Sequence, residues 1–307
     1  MYFLLFILSL GLLVKSAERA ICYSNTIAKS FNFSRFVMGF FVIAFISILP
    51  ETLISLISAA KGTPEFGMGT LLGSNVADLT VVFFFVILAS KKGLKVSDVV
   101  FRKNIYCLPL FALPIVLGFD FEYSRLDGFA LLGAGVAYYV WALHHDLPKD
   151  QARIASSFHW GTLLLLLVSM GVLLLSASLT VKFGTLTAEQ WGVHPILVGL
   201  LFVGLGTTLP ELFFSVQAVR KHYNGLAIGD ILGTVISDAT MVLGLTILVS
   251  PFDFAPSLIW VTGGFMFFAA LLLFVLMKTD RELSRWEGFL LLGLYFAFVA
   301  CEFWANH

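Results

Sequence analysis

The sequence predicts an all-α polytopic membrane protein: ten transmembrane helices, arranged as two inverted-topology repeats of five helices each. Three observations carry this. The 307 residues are 59% hydrophobic and 12% charged, with a mean hydropathy of +0.95, where a soluble domain carries about 25% charge. Apolar blocks of bilayer-spanning length recur along the chain. The chain also matches itself at one constant offset of 160 positions. A net charge of zero with no basic stripe excludes a nucleic-acid partner. Cys22, Cys107 and Cys301 are widely spaced, with no C-x-x-C, and indicate neither a disulfide framework nor a zinc site.

Cut at charge clusters and turn residues, the blocks fall near 2–27, 34–60, 66–90, 104–119, 127–144, 160–181, 194–219, 225–249, 256–277 and 286–304. Roughly 20 residues suffice to cross a bilayer. Lys15, Glu18 and Arg19 interrupt the first block, whose apolar start has no basic region before it and so reads as structural rather than as a signal peptide. Residues 1–147 form the first repeat, 148–160 a short cytoplasmic linker and 161–307 the second repeat. The longest polar connection, from His144 to Phe158, is too short for a soluble domain. Trp141, Trp160, Trp286 and Trp304 lie near block ends, as in interfacial belts.

The offset aligns Leu49-Pro50-Glu51 with Leu209-Pro210-Glu211. It also aligns Gly69, Leu72, Gly73, Asp78 and Thr80 with Gly229, Leu232, Gly233, Asp238 and Thr240. Ser124-Arg125-x-x-Gly128 falls on Ser284-Arg285-x-x-Gly288, and Ser16-Ala17 on Ser176-Ala177. Five spans per copy is an odd number, so the second copy enters the membrane from the opposite side. With the N-terminus outside, 16 of the 19 Lys and Arg fall in inner loops, and only Lys61, Arg125 and Lys182 fall outside. That bias places both termini on the non-cytoplasmic side of a plasma (inner) membrane.

Glu51, Asp78, Glu211 and Asp238 sit within apolar blocks that contain no Lys or Arg near them. Four such acids at mid-membrane cost on the order of 10 kcal/mol on insertion scales. The compensating positive charge must come from outside the chain. Pro50 and Pro210 lack an N–H, which leaves the carbonyls of Ile46 and Gly206 without helical partners. Such carbonyls beside carboxylates suit a hard cation. Ser47 and Thr207 precede Glu51 and Glu211 by four residues, and Ser74 and Thr234 precede Asp78 and Asp238 by four. That spacing puts each hydroxyl on the face of its own carboxylate. Gly69-x-x-x-Gly73 and Gly229-x-x-x-Gly233 allow close helix approach and should bring the acid-bearing spans together.

The stretches Ser47-Ile-Leu-Pro-Glu51 with Gly73-Ser74-Asn75-Val76-Ala77-Asp78, and Gly206-Thr207-Thr208-Leu-Pro-Glu211 with Gly233-Thr234-Val-Ile-Ser237-Asp238, resemble the two α-repeats of the calcium/cation antiporter superfamily. The sodium/calcium exchanger branch is the most similar. The corresponding cores here are 37–82 and 197–242. The resemblance implies five plus five inverted helices and exchange of Ca²⁺ for Na⁺, with no cofactor, no obligate protein partner and no enzymatic role. It makes Glu51 and Glu211 the central calcium ligands, completed by Asp78 and Asp238. The hydroxyls of Ser74, Thr207, Thr208 and Thr234, with Ser47, would serve sodium. Two residues depart from the family pattern: Ile48 offers no oxygen, and Asp230 stands where Asn is usual, with Thr70 as its counterpart. An H⁺- or K⁺-coupled cation exchanger therefore stays open as an alternative.

Two other functions compete. An intramembrane aspartyl protease would use G-x-G-D, but Ala227-Ile228-Gly229-Asp230 lacks the first glycine, and symmetric Glu-plus-Asp pairs have no purpose in that chemistry. A passive channel fits less well than alternating access, which duplicated, proline-broken helices meeting at mid-membrane suit.

Overall fold

A computed structural model describes residues 2–30, 48–90, 93–96, 105–146, 160–193, 195–220, 222, 224–279 and 282–305. Its elements are α1 (Tyr2–Ser30), α2 (Leu49–Ala60), α3 (Pro64–Ala89), β1 (Leu94–Lys95), α4 (Leu108–Leu117), β2 (Glu122–Tyr123), α5 (Arg125–Asp146) and α6 (Trp160–Trp191). They continue with α7 (195–207), α8 (Leu209–Arg220), α9 (224–249), β3 (Phe252–Asp253), α10 (258–279), β4 (Glu282–Leu283) and α11 (Arg285–Ala305).

Lys15, Glu18 and Arg19 do not break α1. They lie on its exposed face, while Phe6, Leu10, Leu13 and Ala20 are buried on the other, at the three-to-four spacing of one helical stripe. Helix α6 runs to Trp191, ten residues past the expected end at 181. Its extension keeps a buried face through Gly184, Thr187 and Ala188, and a Cβ at Gly184 would meet the Phe66 ring at 2.7 Å. Helix α4 is shorter than its sequence block, ten residues following a 3₁₀ turn at Ile105–Cys107, or about 15 Å.

Helix boundaries recur at the repeat offset. Leu49–Ala60 corresponds to Leu209–Arg220, Pro64–Ala77 to Asn224–Ser237, and Phe83–Ala89 to Leu243–Val249. Between the last two pairs lie π-helical turns, Asp78–Val82 and Asp238–Val242. Each contains a threonine whose hydroxyl donates to the carbonyl four residues back: Thr80 to Val76 and Thr240 to Ile236. Such back-bonding competes with the backbone ladder and favours a local bulge. The starts of α5 and α11 also match, because Ser124 and Asp127, and Ser284 and Glu287, close reciprocal N-terminal caps.

Five helices are long and apolar enough to cross a membrane, among the described residues: Pro64–Ala89, Trp160–Trp191, Ala227–Val249, Leu258–Lys278 and Arg285–Ala305. In the apolar windows of α3 and α9, 83% of residues are buried by protein, against 33% in α6 and 28% in α11. So α3 and α9 form the centre, and α6 and α11 present Leu, Val and Phe outward. A second apolar cluster joins α1, α2, α3, α6 and α7 through Phe6, Leu13, Ile54, Phe66, Val181 and Val203.

Two small antiparallel ribbons tie the loops together. Strand β1 pairs β4, with Leu94 opposite Leu283; strand β2 pairs β3, with Tyr123 opposite Phe252. The first ribbon lies at an end carrying Lys95, Lys278 and Arg285, where the Asn224 side chain also reaches the Lys95 carbonyl at 3.5 Å. The second lies at an end carrying Asp120, Glu122, Asp127 and Asp253. Basic residues thus outnumber the acids Glu282 and Glu287 at the first end, and acidic residues outnumber Arg125 at the second.

Candidate cation site

Both glutamates sit just past the start of a helix, and on the second side that start follows a break at Thr208 between α7 and α8. Ile48 has φ −75° and ψ −2°, and Thr208, its counterpart, has φ −77° and ψ −5°. Each of these residues precedes a Leu-Pro-Glu that starts a helix, with proline at a position where its missing N–H costs nothing. Glu51 and Glu211 therefore stand in the first turns of α2 and α8, at the positive ends of the helix dipoles. Asp78 and Asp238 are the first residues of the π turns of α3 and α9. All four are buried, at 0–1% exposure.

The structure brings these acids together. Glu51 lies within electrostatic range of Asp78, Glu211 and Asp238. Seven of their oxygens, Glu51 Oε2 and both oxygens of Asp78, Glu211 and Asp238, have no hydrogen-bond partner. Asn75 Oδ1 and Thr234 Oγ1 beside them share that condition. Buried polar atoms in folded proteins are nearly always paired, so this concentration in one place points to a ligand. Among the described residues, no three acids close into a compact metal cage.

The hydroxyls are arranged differently from the sequence expectation. The helix breaks at Thr208, so the four-residue spacing between Thr207 and Glu211 does not put them on one face. Thr207 instead faces Glu51, and Ser74 stands against Asp238. Each hydroxyl serves the carboxylate of the other half. Their protons are used locally: Thr207 donates to Gly204 O at 3.1 Å, Thr208 to Leu205 O at 3.0 Å and Ser74 to Leu71 O at 2.9 Å. Ser47 and Ile46 lie outside the described residues.

The glycine expectation also needs correction. A Cβ on Gly73 would come 2.3 Å from the Leu200 carbonyl oxygen, and one on Gly204 would come 2.8 Å from the Ser74 amide. At Gly73 helix α3 is thus pressed backbone to backbone against α7 of the other half; its close approach to the acid-bearing helix α2 of its own half comes instead at Gly67, where a Cβ would meet the Ser55 Cα at 2.8 Å. At Gly233 the nearest contact is the Tyr139 hydroxyl, 3.9 Å away. That hydroxyl donates to the Gly233 carbonyl at 3.0 Å.

One residue outside the expected ligand set joins the site. Asn75 is buried three positions before Asp78, with its amide nitrogen 3.5 Å from Met266 Sδ. Its spacing could have revealed it, since residues three apart share a helix face. Asp230, flagged in sequence only as a departure, is also buried; it lies eight residues before Asp238 on α9, within electrostatic range of Asp78 and Glu211 but outside the four-acid cluster. A further acid, Glu302, is buried in α11 and accepts from Thr262, apart from this cluster.

The profile of the sodium/calcium exchanger protein family matches residues 1–144 and again 161–304. The sodium/calcium exchanger MaX1 of Methanosarcina acetivorans is 25% identical over 348 aligned positions, covering 98% of both chains. A solved structure of the sodium-calcium exchanger NCX_Mj superposes with a TM-score of 0.70 at 26% identity, over 97% of each chain. The H⁺/Ca²⁺ exchanger CAX shares the fold, with a TM-score of 0.80 at 14% identity over 97% of this chain and 82% of that one. One match per half, over helices this apolar, fixes the assignment: the chain is an integral, multi-pass membrane protein of the sodium/calcium exchanger family, a transporter of inorganic cations and not an enzyme.

Proposed function

We propose that the chain exchanges Ca²⁺ for Na⁺ by alternating access, with ions held at mid-membrane by Glu51, Asp78, Glu211 and Asp238. The hydroxyls of Ser47, Ser74, Thr207, Thr208 and Thr234 complete the ligand set. The observation that carries this reading is the seven unpartnered carboxylate oxygens at the meeting of the two halves. A divalent ion, or several monovalent ions, can neutralise such a cluster. Empty, it is costly to carry through an apolar interior. Loaded states therefore interconvert more readily than the empty one, and this couples the two ions.

The repeats are 1–147 and 161–307, joined by 148–160, each contributing five spans to a ten-helix inverted arrangement. Helix boundaries that recur 160 positions apart support it, as do the basic and acidic ends. On this topology both termini face the non-cytoplasmic side of the plasma membrane. A proton-coupled exchange is the second reading. It is favoured by Ile48, which occupies the position of Thr208 inside the apolar core and removes an oxygen that a sodium ion could use.

Purified protein in proteoliposomes separates the readings. ⁴⁵Ca²⁺ uptake driven by an outward Na⁺ gradient, electrogenic and independent of K⁺, is the expected result. Uptake driven by a pH gradient alone would replace Na⁺ with H⁺ as the counter-ion. Absence of any Ca²⁺ flux would overturn the proposal.

A further inference from the structure

We infer that Asp230 and Ser215 form a second cation station with a single carboxylate, taking one monovalent ion such as Na⁺ apart from the four-acid cluster. The inference rests on the exchange reading and extends it to the path of the ions.

Asp230 lies eight residues before Asp238 on α9, about 12 Å along the helix axis. Ser215 lies four residues beyond Glu211 on α8, about 6 Å toward the end that carries Arg220. Between the two helices, Ser215 Oγ stands 3.3 Å from Asp230 Oδ2 and 3.5 Å from the Ala227 carbonyl. Asp230 is only 6% exposed, yet its Oδ1 has no hydrogen-bond partner. Carboxylate, hydroxyl and carbonyl make an oxygen-only set suited to a hard cation. One negative charge balances one monovalent ion, and a divalent ion there would leave an uncompensated charge in an apolar setting.

The other half shows that the fold itself does not require this acid. The counterparts of Asp230 and Ser215 are Thr70 and Ser55. Thr70 donates to the Phe66 carbonyl at 3.0 Å, and Ser55 Oγ accepts from Thr246 at 2.9 Å. That pair is neutral and satisfied. The carboxylate at position 230 is an addition confined to one half. Ions approaching from the Arg220 end pass a charged station, where the equivalent positions of the other half offer the hydroxyls of Ser55 and Thr70.

The test uses the whole chain in proteoliposomes, with Asp230→Asn, Asp230→Thr (which copies Thr70) and Asp230→Glu. Two quantities are read: Ca²⁺–Ca²⁺ isotope exchange without Na⁺, and the Na⁺ dependence of Ca²⁺ flux from each face. The neutral variants should keep isotope exchange near wild type. They should raise the half-saturating Na⁺ about tenfold at the Arg220 face, as expected for loss of one charged contact, with a lower Hill coefficient. Asp230→Glu should stay near wild type. If wild type and Asp230→Asn share the same Na⁺ curves at both faces, the station does not exist. If only the pH dependence changes, the sodium assignment is overturned. Wild-type protein without any Ca²⁺ flux would instead overturn the exchange reading, a result distinct from either of these.

Discussion

The hydroxyl of Ser16 lies 3.5 Å from that of Ser176, its own counterpart 160 positions later in the chain. A residue that touches its repeat image lies beside the axis relating the two copies. Both donate to their own helices, Ser16 to Leu13 O at 2.8 Å and Ser176 to Leu173 O at 2.9 Å, and Thr180 reaches Ser9 at 3.2 Å. Small hydroxylated residues let α1 and α6 approach closely without the hydrophobic effect, which lipid does not supply. In a background with Cys22, Cys107 and Cys301 replaced, Ser16→Cys with Ser176→Cys should form an oxidant-dependent intramolecular crosslink. Pairing Cys at 16 with exposed position 175 should not. Equal crosslinking of both pairs would show that the seam is not as described.

Gly73 and Gly233 hold equivalent positions in the two halves and should respond oppositely to a methyl group. At Gly73 the new Cβ meets the Leu200 backbone at 2.3 Å, and overpacking of this kind costs about 1–3 kcal/mol. At Gly233 nothing stands closer than 3.9 Å, and alanine in a helix gains about 0.5–1 kcal/mol over glycine. Thermal unfolding in detergent should show a lowered midpoint for Gly73→Ala and an unchanged or raised one for Gly233→Ala.

Glu51→Gln and Glu211→Gln preserve shape and remove the charge that must balance a divalent cation. Each should lower ⁴⁵Ca²⁺ exchange by about 100-fold or more, equivalent to ~2.7 kcal/mol, while leaving the unfolding midpoint in place. Asn75→Ala removes a neutral oxygen and should weaken Ca²⁺ about tenfold, or ~1.4 kcal/mol. Wild-type flux in either glutamine variant would place the central site elsewhere.

Ile48→Ser tests the asymmetry between Ile48 and its counterpart Thr208. Ile48 is buried in the main apolar cluster, so the substitution should cost about 2–4 kcal/mol of stability. It also adds a hydroxyl where Thr208 already has one. If that oxygen reaches the ion path, the apparent Na⁺ affinity or the Hill coefficient of Na⁺-driven Ca²⁺ flux should rise, with Ca²⁺ affinity nearly unchanged. A sodium curve identical to wild type would show that Ile48 is packing only.

The sequence alone determined the class of this protein and the identity of its acids. Hydropathy is a local property, the repeat register survives as matched letters, and Glu51, Asp78, Glu211 and Asp238 stand out because charge in lipid is expensive. It could not determine which groups meet. Spacing along a helix relates only residues of that helix, and the helix carrying Thr207 stops before Glu211. Tertiary structure decided that Thr207 serves Glu51, that Ser74 stands against Asp238, and that Gly73 rests on Leu200 instead of on its own half. It also decided that α6 continues to Trp191, because Gly184 and Ala188 bury against neighbours that no local pattern names. Asp230 lies between the two: its letter was visible, but its burial, its bond to Ser215 and its unpartnered oxygen arise only where α8 and α9 pack together.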